Sequence, residues 1–161
     1  MEINLTTPPA APHWPAHITL RTFDPAHDAP AVHAAVEEAF ADHWEHTDTP
    51  FEEWARWNLE RSNLDPTLWF LAMDGEEIAG TALCFPELEG GWVRNLAVRR
   101  PWRREGLGLA LLQQAFGEFY RRGQRSVGLG VDASNLTGAT RLYERAGMGV
   151  TKLFDLYHKM V

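Results

Sequence analysis

Four arginines, Arg99, Arg100, Arg103 and Arg104, stand just ahead of two glycines at i and i+2, Gly106 and Gly108, and an amphipathic run follows at once. That arrangement describes an anion site. The first turn of a helix has up to four backbone N–H groups without an internal partner, and the helix dipole places partial positive charge there. Gly106 and Gly108 carry no Cβ, so a bulky oxyanion such as a pyrophosphate can lie against the backbone while Arg103 and Arg104 add charge-assisted bonds. The expected loop is Arg103, Arg104, Glu105, Gly106, Leu107, Gly108 and Leu109. Two other phosphate motifs fit poorly: no G-x-x-x-x-G-K-[ST] occurs, and Leu111 stands where a dinucleotide fingerprint needs its third glycine. Gly128-x-Gly130-x-x-Ala133 lies inside an apolar strand rather than after one.

The elements that must position this loop are legible from periodicity. Gly91 to Val98 is apolar and rich in β-branched residues, a buried strand, and Pro101 then forces a turn because it lacks an N–H and pushes Arg100 away from helical angles. Leu107, Leu111, Ala115 and Phe119, with Leu112, Phe116 and Tyr120, share one face of a helix that Arg122-Gly123 closes. Met1 to Pro15 is rich in Pro, Ala and Thr without a period and reads as a flexible arm ahead of one domain, residues 16–161. His17–Phe23 alternates as a strand. Asp28 is placed to cap a helix with Pro30 in its first turn, running to about His43. After a loop, Phe51–Arg61 is a second helix. Strands follow over Thr67–Met73 and Glu77–Phe85 around an Asp74-Gly75-Glu76 turn, then a polar turn over Pro86–Gly91 leads into the strand before the loop. Beyond the central helix come a strand over Arg125–Val131, a helix over Thr137–Arg145 and a last strand over Leu153–Val161. A three-strand meander followed by strand–helix–strand crossings implies a mixed α/β sheet with helices on both faces.

The chain has 161 residues, 45% of them hydrophobic, which suits a single core. Its lone cysteine, Cys84, excludes an internal disulfide and a cysteine metal cluster, and is compatible with a reducing cytoplasm. Neither a secretory signal nor a stretch of membrane-spanning length is evident, so the expectation is a cytoplasmic protein with no membrane partner. A net charge of −7 disfavours nucleic acid.

Arg103-x-x-Gly106-x-Gly108 resembles the pyrophosphate-binding signature of the GNAT superfamily of N-acetyltransferases. A second stretch, Asn135-x-x-x-Ala139-x-x-Leu142-Tyr143-Glu144-x-x-Gly147-Met148, resembles that family's later motif, with Met148 in place of the usual aromatic residue. Over residues 77–149 the wording is most similar to acetyltransferase domains of the mycothiol synthase kind, whereas the first half agrees only in element order. The second motif is what weighs against reading the arginines as a solvated charge run. The resemblance implies a mixed sheet of six to seven strands and direct acetyl transfer from acetyl-CoA (coenzyme A) to an amine, with no metal. It implies that exposed backbone of Leu96, Ala97 and Val98 binds the pantetheine arm, that an N–H near Ala97 or Val98 meets the oxyanion, and that Asn135 supports the pantetheine or caps a helix. It also implies that Tyr143 touches the cofactor and protonates the departing thiolate. Dimerisation is common in that family, and the final strand is one element that could mediate a homodimer, a point the residues themselves leave open.

An ammonium must lose its proton before it attacks, and the sequence leaves the base open among Glu38, His43, Glu45, His46, Asp132 and water. The acceptor, a small-molecule or peptide amine, is open as well. From Glu37 to Glu60 eight acidic residues stand against the single Arg56, interleaved with histidine and tryptophan. The resemblance implies that the first two helices and their loop form the acceptor wall, and an acidic, aromatic wall there favours a cationic amine; a solvated face that keeps the chain soluble explains the run equally. A non-catalytic acyl-CoA-binding or regulatory module is the alternative to an enzyme.

Overall fold

From Trp69 to Val98 the chain folds back on itself twice, and this meander is the middle of the sheet. The computed structural model describes residues 2–5, 8–40, 49–87, 90–129 and 144–148. β3 (Trp69–Asp74), β4 (Glu77–Glu87) and β5 (Gly90–Val98) pair antiparallel, and Asp74 opposite Glu77 leaves Gly75-Glu76 as a two-residue turn. β2 (Thr19–Thr22) extends the sheet beside β3, and β6 (Ser126–Leu129) lies parallel to β5 on the other side. The strand order is β1-β6-β5-β4-β3-β2, a mixed six-stranded sheet. A parallel neighbour requires a crossover, and α3 (Leu107–Arg121) supplies it between β5 and β6.

Because β3 and β4 are buried on both sides, their side chains feed two cores. Phe70, Ala82, Cys84 and Val93 pack with Leu111, Leu112, Phe116 and Phe119 of α3. On the opposite face Trp69, Leu71, Leu83, Phe85 and Ala97 pack with Val32 and Val36 of α1 (Ala29–Phe40) and Trp54 of α2 (Phe51–Asn58). Helices thus flank both faces, as the element order implied. Burial pushes the Cys84 thiol far above its usual range, which leaves it unreactive. No helix among the described residues is long and apolar enough to cross a membrane.

Three differences from the sequence reading have physical causes. Residues 2–4, read as part of an irregular arm, form β1 (Glu2–Asn4), which pairs antiparallel with the outer edge of β6. Ile3 and buried Leu5 cover the α3-side core there, and Leu5 N donates to Arg125 O at 2.7 Å, a tertiary gain that local periodicity does not display. Asp28 sits at the start of α1, but its carboxylate turns back to accept Arg21 Nη1 and Nη2 at 2.5 and 2.8 Å and the Asp24 amide at 2.7 Å instead of capping the helix. α2 ends at Asn58, and Pro66–Leu68 forms a 3₁₀ turn, so β3 begins at Trp69. The expected helix over 137–145 lies outside the described residues except for its end at 144–145, and the strand expected over 153–161 lies outside them entirely.

Where β5 begins, Gly90 has φ +145°, and a Cβ there would stand 2.4 Å from the backbone oxygen of Ser126. Neither the backbone angle nor the neighbouring strand can yield cheaply. Gly90→Ala will therefore lower unfolding free energy by roughly 2–4 kcal/mol, read as a lower urea midpoint with an unchanged slope.

Candidate functional site

The site begins with a fault in the ladder. Leu83 pairs with Asn95 but Cys84 pairs with Val93, so Arg94 is an extra residue that bulges β5. Before the bulge, β5 is held on both sides, with Gly91, Trp92 and Val93 opposite Val127, Gly128 and Leu129 of β6. Past it, Leu96, Ala97 and Val98 keep their partners on β4 but have no ladder partner on the β6 side among the described residues. That stretch of edge has peptide groups with no ladder partner among the described residues, apart from Val98 O, which accepts from Arg103, and such groups are able to bind an amide-rich chain as a further strand would.

The open edge leads directly into the arginine-glycine loop. Arg99 N still bonds Ala79 O at 2.9 Å, after which a 3₁₀ turn over Arg100–Trp102 lifts the chain off the sheet. Trp102 anchors the turn from below: its ring is buried, its Nε1 donates to Asp74 at 2.8 Å, and the Arg99 guanidinium lies 4.9 Å from the ring centre. Gly106, the residue before α3, has φ +82° and provides no side-chain cap. The first helical bond runs from Ala110 N to Gly106 O at 3.0 Å, so the amides of Leu107, Gly108 and Leu109 have no partner among the described residues. A Cβ at Gly106 would meet nothing within 4 Å. Unpartnered amides, open space and the positive end of a 15-residue helix together fit a diphosphate.

The two arginines assigned to that anion differ in placement. Arg104 is exposed, in the left-handed region at φ 68°, a conformation that costs a non-glycine residue about 1–2 kcal/mol. Arg103 donates from Nε to Val98 O at 3.0 Å and from Nη2 to Ala39 O at 2.7 Å. It works as a strut, tying the end of β5 to the last turn of α1, where carbonyls carry the negative end of the dipole. Glu105 reaches His17 Nε2 at 2.9 Å and so binds the loop to the segment ahead of β2. Asn135 and Tyr143 lie outside the described residues, as do His43, Glu45, His46 and Asp132.

Glu38 is the described candidate for a base, and its surroundings argue against that role. Arg99 grips both carboxylate oxygens, Nε to Oε2 at 2.6 Å and Nη2 to Oε1 at 3.1 Å. Those hydrogen bonds hold the carboxyl below its usual range, so it stays ionised as pH falls and takes up a proton poorly. Glu38→Gln is expected to leave the acid limb of the kcat/KM–pH profile in place. Loss of that limb would restore Glu38 as the base. Its neighbour Glu37 accepts from Thr49 N at 3.3 Å and stands 3.7 Å from His33 Nε2, while Glu52 and Glu53 occupy the first turn of α2, where negative charge favours the helix. Glu37 and Glu38 are thus already engaged in local structure.

Two groups of residues escaped the sequence reading. His33 bonds Thr49 O at 2.6 Å and lies 5.5 and 5.4 Å from the rings of Phe51 and Trp54, so it joins α1 to α2. Arg94 donates from Nε to Asn58 Oδ1 at 2.8 Å across the α2 face of the sheet. Only a charged residue inside a largely apolar strand signalled the second.

Comparison with known proteins follows the same lines. Residues 30–148 match the family model for the acetyltransferase (GNAT) family. The mycothiol acetyltransferase of Thermobispora bispora is 38% identical over 154 residues, covering 89% of this chain and 50% of that protein. That of Streptomyces scabiei is 34% identical over 163 residues, covering 94% and 49%. The chain therefore spans about half the length of the curated relatives it matches. A GCN5-related N-acetyltransferase from Sphaerobacter thermophilus superposes with a TM-score of 0.82 at 47% identity, over 93% of this chain and 47% of that one. The matched region holds the bulged strand, the arginine-glycine loop and α3, and the chain belongs to the GNAT acetyltransferase family.

Proposed function

We propose that this chain transfers an acetyl group from acetyl-CoA directly to a primary amine of a small molecule or peptide. The observation that carries the reading is the row of amides at Leu107, Gly108 and Leu109 without a partner among the described residues, set at the end of a strand edge with no ladder partner among those residues. A diphosphate at the helix start and an amide-rich arm along Leu96–Val98 would place a thioester against that stretch of β5, past the bulge. Backbone N–H near Ala97 or Val98 would then face the carbonyl oxygen as it gains charge, and such a donor is worth about 10²- to 10³-fold in rate. Asn135 would support the arm, and Tyr143 would protonate the sulfur as the C–S bond breaks. The amine's proton goes to water or to a base among His43, Glu45, His46 and Asp132.

The test is thiol release from acetyl-CoA across an amine panel, with products identified by mass. Amine-dependent release with an N-acetyl product is expected. Tight acetyl-CoA binding with no product from any amine would favour the non-catalytic acyl-CoA-binding module instead.

A further inference from the structure

Between the end of α2 and the bulge of β5 lie two guanidinium groups that no part of the chemistry above uses. Arg94, the bulged residue, is oriented by Asn58, which is 3% exposed and is itself fixed by donating from Nδ2 to Trp54 O at 2.9 Å. Arg61, just beyond α2, rests 5.0 Å from the ring centre of Phe85, and Phe85 pairs across the ladder with half-exposed Trp92, two residues before Arg94. All face the α2 side of the sheet. Neither arginine has a carboxylate within ion-pair distance among the described residues.

Arg61 and Arg94 are both exposed, so their mutual repulsion is modest, and with no carboxylate in reach among the described residues a bound anion would relieve it. Burial, and secondarily the charge of Arg61, lower the proton affinity of Arg94 below the ordinary arginine value. A guanidinium held at Nε by a buried amide keeps the rest of its planar fork free to grip a carboxylate with both nitrogens. Position supplies the rest. Arg94 is three strand residues from Ala97, about 10 Å along β5, a span that the arginine side chain and a small acceptor with its nitrogen at the carbonyl can bridge between them.

We propose that the acceptor amine also bears a carboxylate, and that Arg94 and Arg61 receive that carboxylate at the bulge of β5. This rests on the acetyltransferase reading. It also narrows the acceptor from any cationic amine to amino-acid-like or C-terminal carboxylate compounds, with the apolar remainder of the molecule against Trp92.

The experiment compares L-amino acids with their carboxamides, which keep the amine and lose the negative charge. For the best substrates, wild type is expected to favour the acid by about ten- to hundredfold in kcat/KM. Arg94→Gln should bring that ratio near one, Arg61→Gln should reduce it, and Arg94→Lys should preserve part of it, each read on the folded variant below its own melting temperature, which the Arg94 changes lower by a few degrees through the lost bond to Asn58. Equal rates on acid and amide in wild type, or a preference that survives in the double glutamine variant, would overturn the proposal. Should no amine be turned over, the acetyltransferase reading falls by itself, and calorimetry then reads the arginine pair. N-acetyl-L-amino acids binding at least about tenfold tighter than their carboxamides to wild type but not to Arg94→Gln would support the subsite. Equal affinities would remove it.

Discussion

Placing aspartate at positions 106 and 108 will cost the protein its acetyl-CoA binding while leaving it folded. The cofactor's diphosphate would sit against the amides of Leu107, Gly108 and Leu109, which have no partner among the described residues. A carboxylate there opposes the incoming phosphates at close range: two like charges about 4 Å apart near a protein surface repel by about 4 kcal/mol, equivalent to roughly 10³-fold in affinity. Folding should tolerate the change at Gly106, because its Cβ position is open, and the left-handed backbone at φ +82° costs aspartate less than it costs a branched residue. Gly106→Asn separates strain from charge. Asparagine has the same shape, adopts that backbone and is neutral, so calorimetry should show most of the affinity retained. Undiminished binding in the aspartate variant would remove the helix start from the site, and with it the assignment of the loop.

What sequence reveals here depends on whether the determining forces are local. The central helix and its loop are local objects: Leu107, Leu111, Ala115 and Phe119 recur at helical spacing, Pro101 compels a turn, and glycine stands where the backbone turns left-handed. Their positions in the structure match the reading to within a residue or two. β1 is not local. Glu2, Ile3 and Asn4 show no period, and they become a strand because β6 presents an open edge and Ile3 and Leu5 find apolar cover there. The bulge is still less visible, since whether Arg94 is in register depends on how β4 and β5 are aligned from their shared turn. Arg103 shows the limit of motif reading: its spacing to Gly106 matched a phosphate signature, yet the structure has its guanidinium bracing Val98 and Ala39 carbonyls. An arginine can hold a loop in the shape an anion needs without touching the anion through those same donors. Likewise the acidic count between Glu37 and Glu60 is equally compatible with a wall for cations and with a solvated face, and it cannot show that Glu38 pairs with Arg99 and Glu37 bonds Thr49, contacts that need the tertiary fold to exist.

Tyr143→Phe is the second large effect. Phenylalanine keeps the ring and any packing it provides, and removes only the hydroxyl. Should that hydroxyl deliver the proton as the C–S bond breaks, its removal takes away a general acid, typically 10²- to 10⁴-fold, so a fall in kcat of about 10²-fold is expected with the KM for acetyl-CoA changed little. The pH dependence carries independent information. A phenol titrates near about 10, so wild-type kcat should decline as pH rises toward that value and the donor ionises, whereas the phenylalanine variant has no such group and should lose that alkaline limb. A purely packing role for Tyr143 predicts the opposite pattern, a kcat close to wild type with the limb intact. The leaving group gives a further discrimination: a thioester whose thiol is more acidic leaves with less help, so the variant should lose less on it than on acetyl-CoA. Loss of the same factor on both thioesters would place Tyr143 in binding or packing and return the thiolate's proton to solvent.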